Sequence, residues 1–163
     1  MAGSFGIIGC GYVGSAAAIH LRRQGREVVG TTTSPGRLVE LCDLVDHPRI
    51  YDAADPMADS SFLDHLDGVL IAVAPTTSNF EEDQYEKVYG QAVPALVDAL
   101  RQRPGGRPLH VSYLSSAGVY GDQSGAICNE LTPPDCSNSA NALLASAESS
   151  VLSLNDASTQ ACV

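Results

Sequence analysis

Residues 9–14 read Gly-Cys-Gly-Tyr-Val-Gly, and no other stretch limits the fold of this chain so tightly. The spacing is G-x-G-x-x-G. Phe5-Gly6-Ile7-Ile8 before it is apolar and of strand length, and Ser15 to Gln24 after it is rich in helix formers and closed by Gly25. In that setting each glycine has a task. Gly9 allows a sharp turn from strand to helix. Gly11 removes a Cβ so that backbone can approach a pyrophosphate. Gly14 lets the helix lie close on the strand. The helix start then directs unpaired amides, at Tyr12 and Val13 among others, toward an anion. The expectation is a dinucleotide-binding turn built on Gly9, Gly11, Tyr12, Val13 and Gly14. The plain alternative is a tight strand–helix turn that binds nothing.

The rest of the chain alternates in the same way. Glu27–Thr31 reads as a second strand, and Ser34-Pro35 starts a helix through Leu38, Leu41, Leu44 and Val45 that Pro48 bars from continuing. Arg49–Tyr51 is a weak third strand. Ser60 or Ser61 caps a brief helix over 62–66. Gly68–Ala74 is continuously apolar, as a strand covered on both faces should be. A polar loop, 75–79, follows. A helical pattern then runs from Tyr85 to Leu100, with Pro94 set to bend or split it near Gly90. Arg101, Arg103 and Arg107 read as a solvated helix end. Leu109–Leu114 is a fifth strand, 122–138 a loop, Ala140–Leu154 a helix, and 158–163 the opening of a sixth strand.

Such alternation predicts an α/β fold, a right-handed, doubly wound parallel sheet, with ligand across the carboxyl ends of its strands. The loops after Ile8, Gly30, Ala74 and Leu114 then surround one crevice. Ala72, Val73 and Ala74 are its expected lining from the fourth strand.

Bulk properties narrow the partners. A chain of 163 residues is one domain, 1–163, or part of a larger protein. A net charge of -10 argues against nucleic acid or an anionic membrane surface. Five scattered cysteines without C-x-x-C, and four scattered histidines, suggest reduced thiols in a cytoplasm and no metal site. No apolar run reaches spanning length, and the N-terminus lacks the basic start of a signal peptide.

Cofactor type is read about twenty positions beyond the glycines, where an acidic residue holds the ribose 2′-hydroxyl of NAD. Here those positions are Thr31-Thr32-Thr33-Ser34, followed by Arg37. Thr32, Thr33, Ser34 and Arg37 suit a 2′-phosphate, which favours NADP, with NAD as the alternative.

Tyr113-Leu114-Ser115-Ser116-Ala117-Gly118-Val119-Tyr120-Gly121-Asp122, with Asn129-Glu130-Leu131-Thr132-Pro133 after it, joins the first glycines and Ala72-Val73-Ala74-Pro75 in a wider pattern. Together they resemble the NAD-dependent epimerase/dehydratase family, in particular the atypical extended short-chain dehydrogenase/reductases described as nucleoside-diphosphate-sugar epimerases. The resemblance implies an NAD(P)-binding Rossmann fold, oxidoreductase or isomerase chemistry, and a sugar-nucleotide substrate. It assigns the substrate-orienting serine to Ser116 and leaves Tyr120 as a distant candidate acid. The family's Tyr-x-x-x-Lys pair is missing. Its positions fall on Ala140 and Leu144, and the only lysine, Lys87, has Asp83 four residues before it. Ala95 takes the place of a helix asparagine used in proton relay by many relatives. The resemblance also implies a C-terminal substrate lobe of which most is lacking, so exposed apolar surface and a homo-oligomer are expected. Without the pair, a non-catalytic dinucleotide-binding or redox-sensing module is the alternative function. A hydroxyacid or sugar-nucleotide dehydrogenase sharing only the first motif is a third, disfavoured by the Ser-Ser-x-x-Val-Tyr-Gly stretch.

Overall fold

A computed structural model describes residues 3–76, 82–104 and 107–163. Six strands form one parallel sheet: β1 (Ser4–Ile8), β2 (Glu27–Thr32), β3 (His47–Ile50), β4 (Gly68–Ile71), β5 (Leu109–Tyr113) and β6 (Thr159–Cys162). Their spatial order is β3-β2-β1-β4-β5-β6, so the winding reverses between β1 and β4. This is the doubly wound, Rossmann-like α/β arrangement. The 158–163 segment is a true sixth strand, with Val111 opposite Ala161.

Helices α1 (Tyr12–Arg23) and α2 (Leu38–Leu44) cover one face of β1 and β2, around Ile7, Cys10, Ala18, Val28, Leu41 and Val45. The other face carries the larger core. Leu63, Leu66, Ile71, Leu96, Val97, Leu109, Val111 and Val151 are all buried there, beneath α4 (Val93–Arg101) and α5 (Ser139–Leu152). Each such aliphatic side chain contributes about 1.5–3 kcal/mol by leaving water. Asn138 starts α5 by accepting the Asn141 amide at 2.9 Å.

Several local expectations are corrected. β3 begins two residues earlier than Arg49 and contains Pro48. The strand is at the sheet edge, where a residue without an N–H is tolerated. β4 stops at Ile71, although the Ala72 amide still bonds the Ile8 carbonyl at 2.8 Å. The turn at Ser61–His65 is a 3₁₀ helix with no serine side chain capping it. Near Gly90, where Pro94 was expected to bend or split the helix, it is indeed divided: α3 (Glu82–Tyr85) passes into a π-helical stretch, Glu86–Ala92, before α4 resumes. A widened turn accommodates the missing proline N–H. Of the loop expected at 75–79, positions 77–79 lie outside the described residues. On β5 and β6 the open sheet face carries His110, Ser112, Gln160 and Cys162, all exposed. That strip is polar, while Leu114, Ile127 and Leu131 elsewhere are exposed.

The arginines after α4 are also not a simple solvated end. Arg103 is half-buried, and its guanidinium donates to the carbonyls of Leu63 at 2.8 Å and Leu66 at 2.7 Å. It ties the end of the 3₁₀ turn to the helix behind it. Arg107 donates to Asp67 at 2.5 Å, and Asp67 in turn accepts the Ser4 amide at 2.9 Å. That amide is the leading cause holding the Asp67 carboxyl below its ordinary range, with Arg107 adding to it against partial desolvation. Arg103→Ala is expected to lower unfolding free energy by about 1.5–3 kcal/mol in urea titrations, because a charged donor leaves carbonyls unpaired. Arg101→Ala, on an exposed residue, is expected to stay within about 0.5 kcal/mol.

Candidate functional site

The first βα turn holds its shape through Thr31. The Thr31 hydroxyl accepts the Gly9 amide at 3.0 Å, and its carbonyl accepts the Cys10 amide at 2.8 Å. Gly9 has φ +92°, and a Cβ there would lie 2.8 Å from the Ala72 carbonyl oxygen. Gly14 is buried, and a Cβ on it would run into the Gly9 carbonyl oxygen. Gly11 differs from both. A Cβ built on it meets nothing within 4 Å. Helix α1 begins there with Gly11 as its cap residue, and no side chain caps its first amides. Tyr12 and Val13, on the first turn, are exposed. A turn that packs tightly below and stays open above, next to uncapped amides, has the form of an anion cradle.

That opening belongs to a cleft of about 540 Å³ along the carboxyl edge of the sheet. Gly9, Gly11, Tyr12, Val13, Thr32, Thr33, Arg37, Ala72, Val73 and Ala74 all line it. Gly14 lies beneath the turn, outside the lining. Ser34 is exposed and outside it too, its amide bonded to the Thr32 hydroxyl at 3.2 Å. The Arg37 guanidinium is 3.6 Å from Glu40 and remains half exposed.

The two residues assigned to catalysis from the sequence are placed elsewhere. Ser116 is exposed, and its hydroxyl accepts the Gly118 amide at 3.1 Å, capping a 3₁₀ turn at Ala117–Tyr120. Tyr120 is half-buried and packs against the main core; its carbonyl accepts from Gln123. Neither lines the cleft. Ala140, at the expected tyrosine position, is half-buried, and Leu144, at the lysine position, is a core side chain.

Among the lining residues that escaped the sequence reading are Ser115, Asp52 and Lys87. Ser115 lines the cleft where its neighbour Ser116 does not. Asp52, just after β3, and Lys87, on the π-helical stretch, meet at 2.8 Å and both line it. Burial alone would raise the Asp52 carboxyl, but Lys87 and the Ala54 amide outweigh it and hold the group low. Lys87 was visible in the sequence as the sole lysine, yet nothing local paired it with a residue 35 positions away. Burial pushes the Cys10 thiol up, so it is not a ready nucleophile. Among the described residues no group of three or more His, Cys, Asp or Glu is set to hold a metal ion. No helix among them is long and apolar enough to cross a membrane.

Comparison with solved structures supports the fold. A functionally unknown conserved protein from Silicibacter pomeroyi matches with TM-score 0.67 and 22% identity, over 98% of this chain and 51% of that one. A short-chain dehydrogenase/reductase superfamily protein from Agrobacterium tumefaciens with bound NAD matches with TM-score 0.76 and 21% identity, over 97% and 48%. A UDP-glucuronic acid 4-epimerase from Bacillus cereus, in complex with a UDP-sugar and NAD, matches with TM-score 0.70 and 19% identity, over 93% and 52%. The chain thus spans about half the length of these structures, and at such identities the likeness establishes shared fold alone. No curated protein matches it. The family model that does match leaves out the Ser115–Asp122 stretch that carries the epimerase/dehydratase resemblance; it runs from β1 to the π-helical stretch. Through that match, over residues 4–88 and just over half its length, the chain belongs to the family described as NADP oxidoreductase, coenzyme F420-dependent.

Proposed function

We propose that this chain is the cofactor domain of a nicotinamide-dinucleotide-dependent protein, with NADP favoured over NAD. The observation that carries the reading is the open space above Gly11 beside the uncapped start of α1. The pyrophosphate lies there, held by amides. The adenosine half extends over β2, toward Thr32, Thr33 and Arg37, with Ser34 supporting that loop from behind. Arg37 supplies the charge that a 2′-phosphate needs, and no acidic side chain stands at Thr31–Ser34 to repel it. The description of the matching family, an NADP oxidoreductase, supports the same preference. Ala72, Val73 and Ala74 flank the path toward the other half of the cofactor.

As part of this proposal the whole protein is an oxidoreductase or sugar-nucleotide epimerase, the class to which the Ser115–Asp122 stretch and several fold neighbours point. Ser116 and Tyr120 would then serve it only after the 117–120 turn moves. A second reading, a non-catalytic dinucleotide-binding module, is favoured by one specific observation: a core leucine, Leu144, stands where the family's lysine would lower a tyrosine pKa. Turnover of sugar nucleotides by NADPH-saturated protein separates the two. Five unpaired cysteines support a reducing compartment, and we place the protein in the cytoplasm.

Two measurements test the binding site. Gly11 has φ -77° and open space above it, so Gly11→Ala should leave stability within about 1 kcal/mol. The same methyl stands where the pyrophosphate must approach, so NADPH affinity by fluorescence titration should fall at least about tenfold. Unchanged affinity would remove the cradle. Arg37→Ala should weaken NADPH about 10- to 100-fold while sparing NADH, as expected for a charged hydrogen bond to phosphate. Glu40→Gln, which frees Arg37, should tighten NADPH by about twofold.

A further inference from the structure

The Asp52–Lys87 ion pair joins two segments that no backbone hydrogen bond connects. In the sheet order β3-β2-β1-β4, the loop after β3 and the helical segment after β4 flank the ends of β2 and β1. Gly9, Gly11, Thr32 and Thr33 at those ends line the cleft, and so do Asp52 and Lys87. Among the described residues no backbone hydrogen bond runs from 52–58 to 82–92. The carboxylate and the ammonium, 2.8 Å apart, bridge that gap. Anything that settles over the ends of β2 and β1 therefore lies between two flanks that this pair draws together.

Each side of the contact is held from behind. Tyr51, just before Asp52, is buried, its ring edge-on to Phe62 at 5.2 Å. The second Asp52 oxygen accepts the Ala54 amide at 3.1 Å, so a local turn aims the carboxylate. On the other flank Tyr89 is buried and packs edge-on to Tyr85 at 5.4 Å, which anchors the π-helical stretch that carries Lys87. Burial alone would raise the Asp52 carboxyl, but Lys87 and the Ala54 amide keep it low, so both partners are charged at neutral pH. Yet the Lys87 and Asp52 side chains are 52% and 30% exposed. Water competes for such a pair, and it holds weakly. Parting it wets two charged ends and uncovers no core. An aimed but weak contact between two anchored walls has the properties of a clasp.

We propose that the Asp52–Lys87 pair is an ionic clasp that parts when a ligand enters the cleft and closes again behind it. For its ligand the clasp rests on the dinucleotide reading above, to which it adds control over how fast the cleft fills and empties.

The test is stopped-flow NADPH fluorescence on wild type, Asp52→Asn, Lys87→Met and the double variant. Asparagine keeps an acceptor for the Ala54 amide while losing the charge. Both single variants should speed entry as well as release, by about two- to fivefold, the range open to an exposed pair. The double variant should be no faster than either, because one contact is lost in all three. Loss of a direct ligand contact would speed release alone. Steering by net charge would move entry in opposite directions in the two single variants, since one removes a negative and the other a positive charge. Either pattern overturns the clasp and leaves the cradle standing. Hydrogen exchange without ligand gives a second readout. Asp52→Asn should speed exchange across Glu86–Ala92, and Lys87→Met should speed it at Ala54, each by about twofold or more on the segment opposite the substitution. Exchange unchanged on both opposite segments also overturns the clasp. Wild type that binds no NADPH removes the dinucleotide reading, and the exchange result then decides the clasp by itself.

Discussion

The whole carboxyl edge depends on how closely the Gly9–Gly14 turn can approach its neighbours. The turn is compressed from two sides: Gly9 against the Ala72 carbonyl of the β4 loop, and Gly14 against the Gly9 carbonyl itself. Thr31 accepts the two amides that this compression would otherwise leave unpaired. The result is a helix start pressed down onto the sheet, with its own first amides directed outward. Were Gly9 or Gly14 to carry a side chain, α1 would lift, and the amides would no longer face a common space with β4 and β5.

Around that turn the two ends of the cleft differ in physical character. Toward β2 and β3 it is polar and charged, with Thr32, Thr33, Arg37 and the Asp52–Lys87 pair. Val88, Ala92, Val93 and Leu96, from the helical segment after β4, give it an aliphatic wall. The π-helical stretch at Glu86–Ala92 lies between these regimes. It carries both Lys87, which reaches Asp52, and Val88 and Ala92, which line the apolar end. A wider helical turn at a functional cleft is a recurrent use of this geometry. Here it places a cation and an apolar patch on one surface only a few residues apart.

How much could be read in advance depended on range. The glycines, the continuously apolar Gly68–Ile71 strand and the stripe at Leu144, Ala147 and Val151 act through local periodicity, so the sheet and its crevice were legible. Arg103 was misread because its partners, the Leu63 and Leu66 carbonyls, lie some forty residues back. Lys87 and Asp52 were missed for the same reason. The serine pair is subtler. Ser115 and Ser116 are adjacent, and a motif treats them alike, but one lines the cleft while the hydroxyl of the other accepts the backbone amide of Gly118.

What the order of residues settled by itself was the strand–turn–helix at the N-terminus, the parallel winding that follows, and the edge of the sheet where a ligand would sit. These follow from φ preferences, side-chain size and hydrophobic spacing, all of which act over a few residues. Tertiary structure alone decided which of the two serines lines the cleft, which arginine is structural, and that the open strip on β5 and β6 is polar. Those outcomes turn on which distant carbonyl, amide or carboxylate each side chain meets, and such partners are chosen only when the chain has closed on itself.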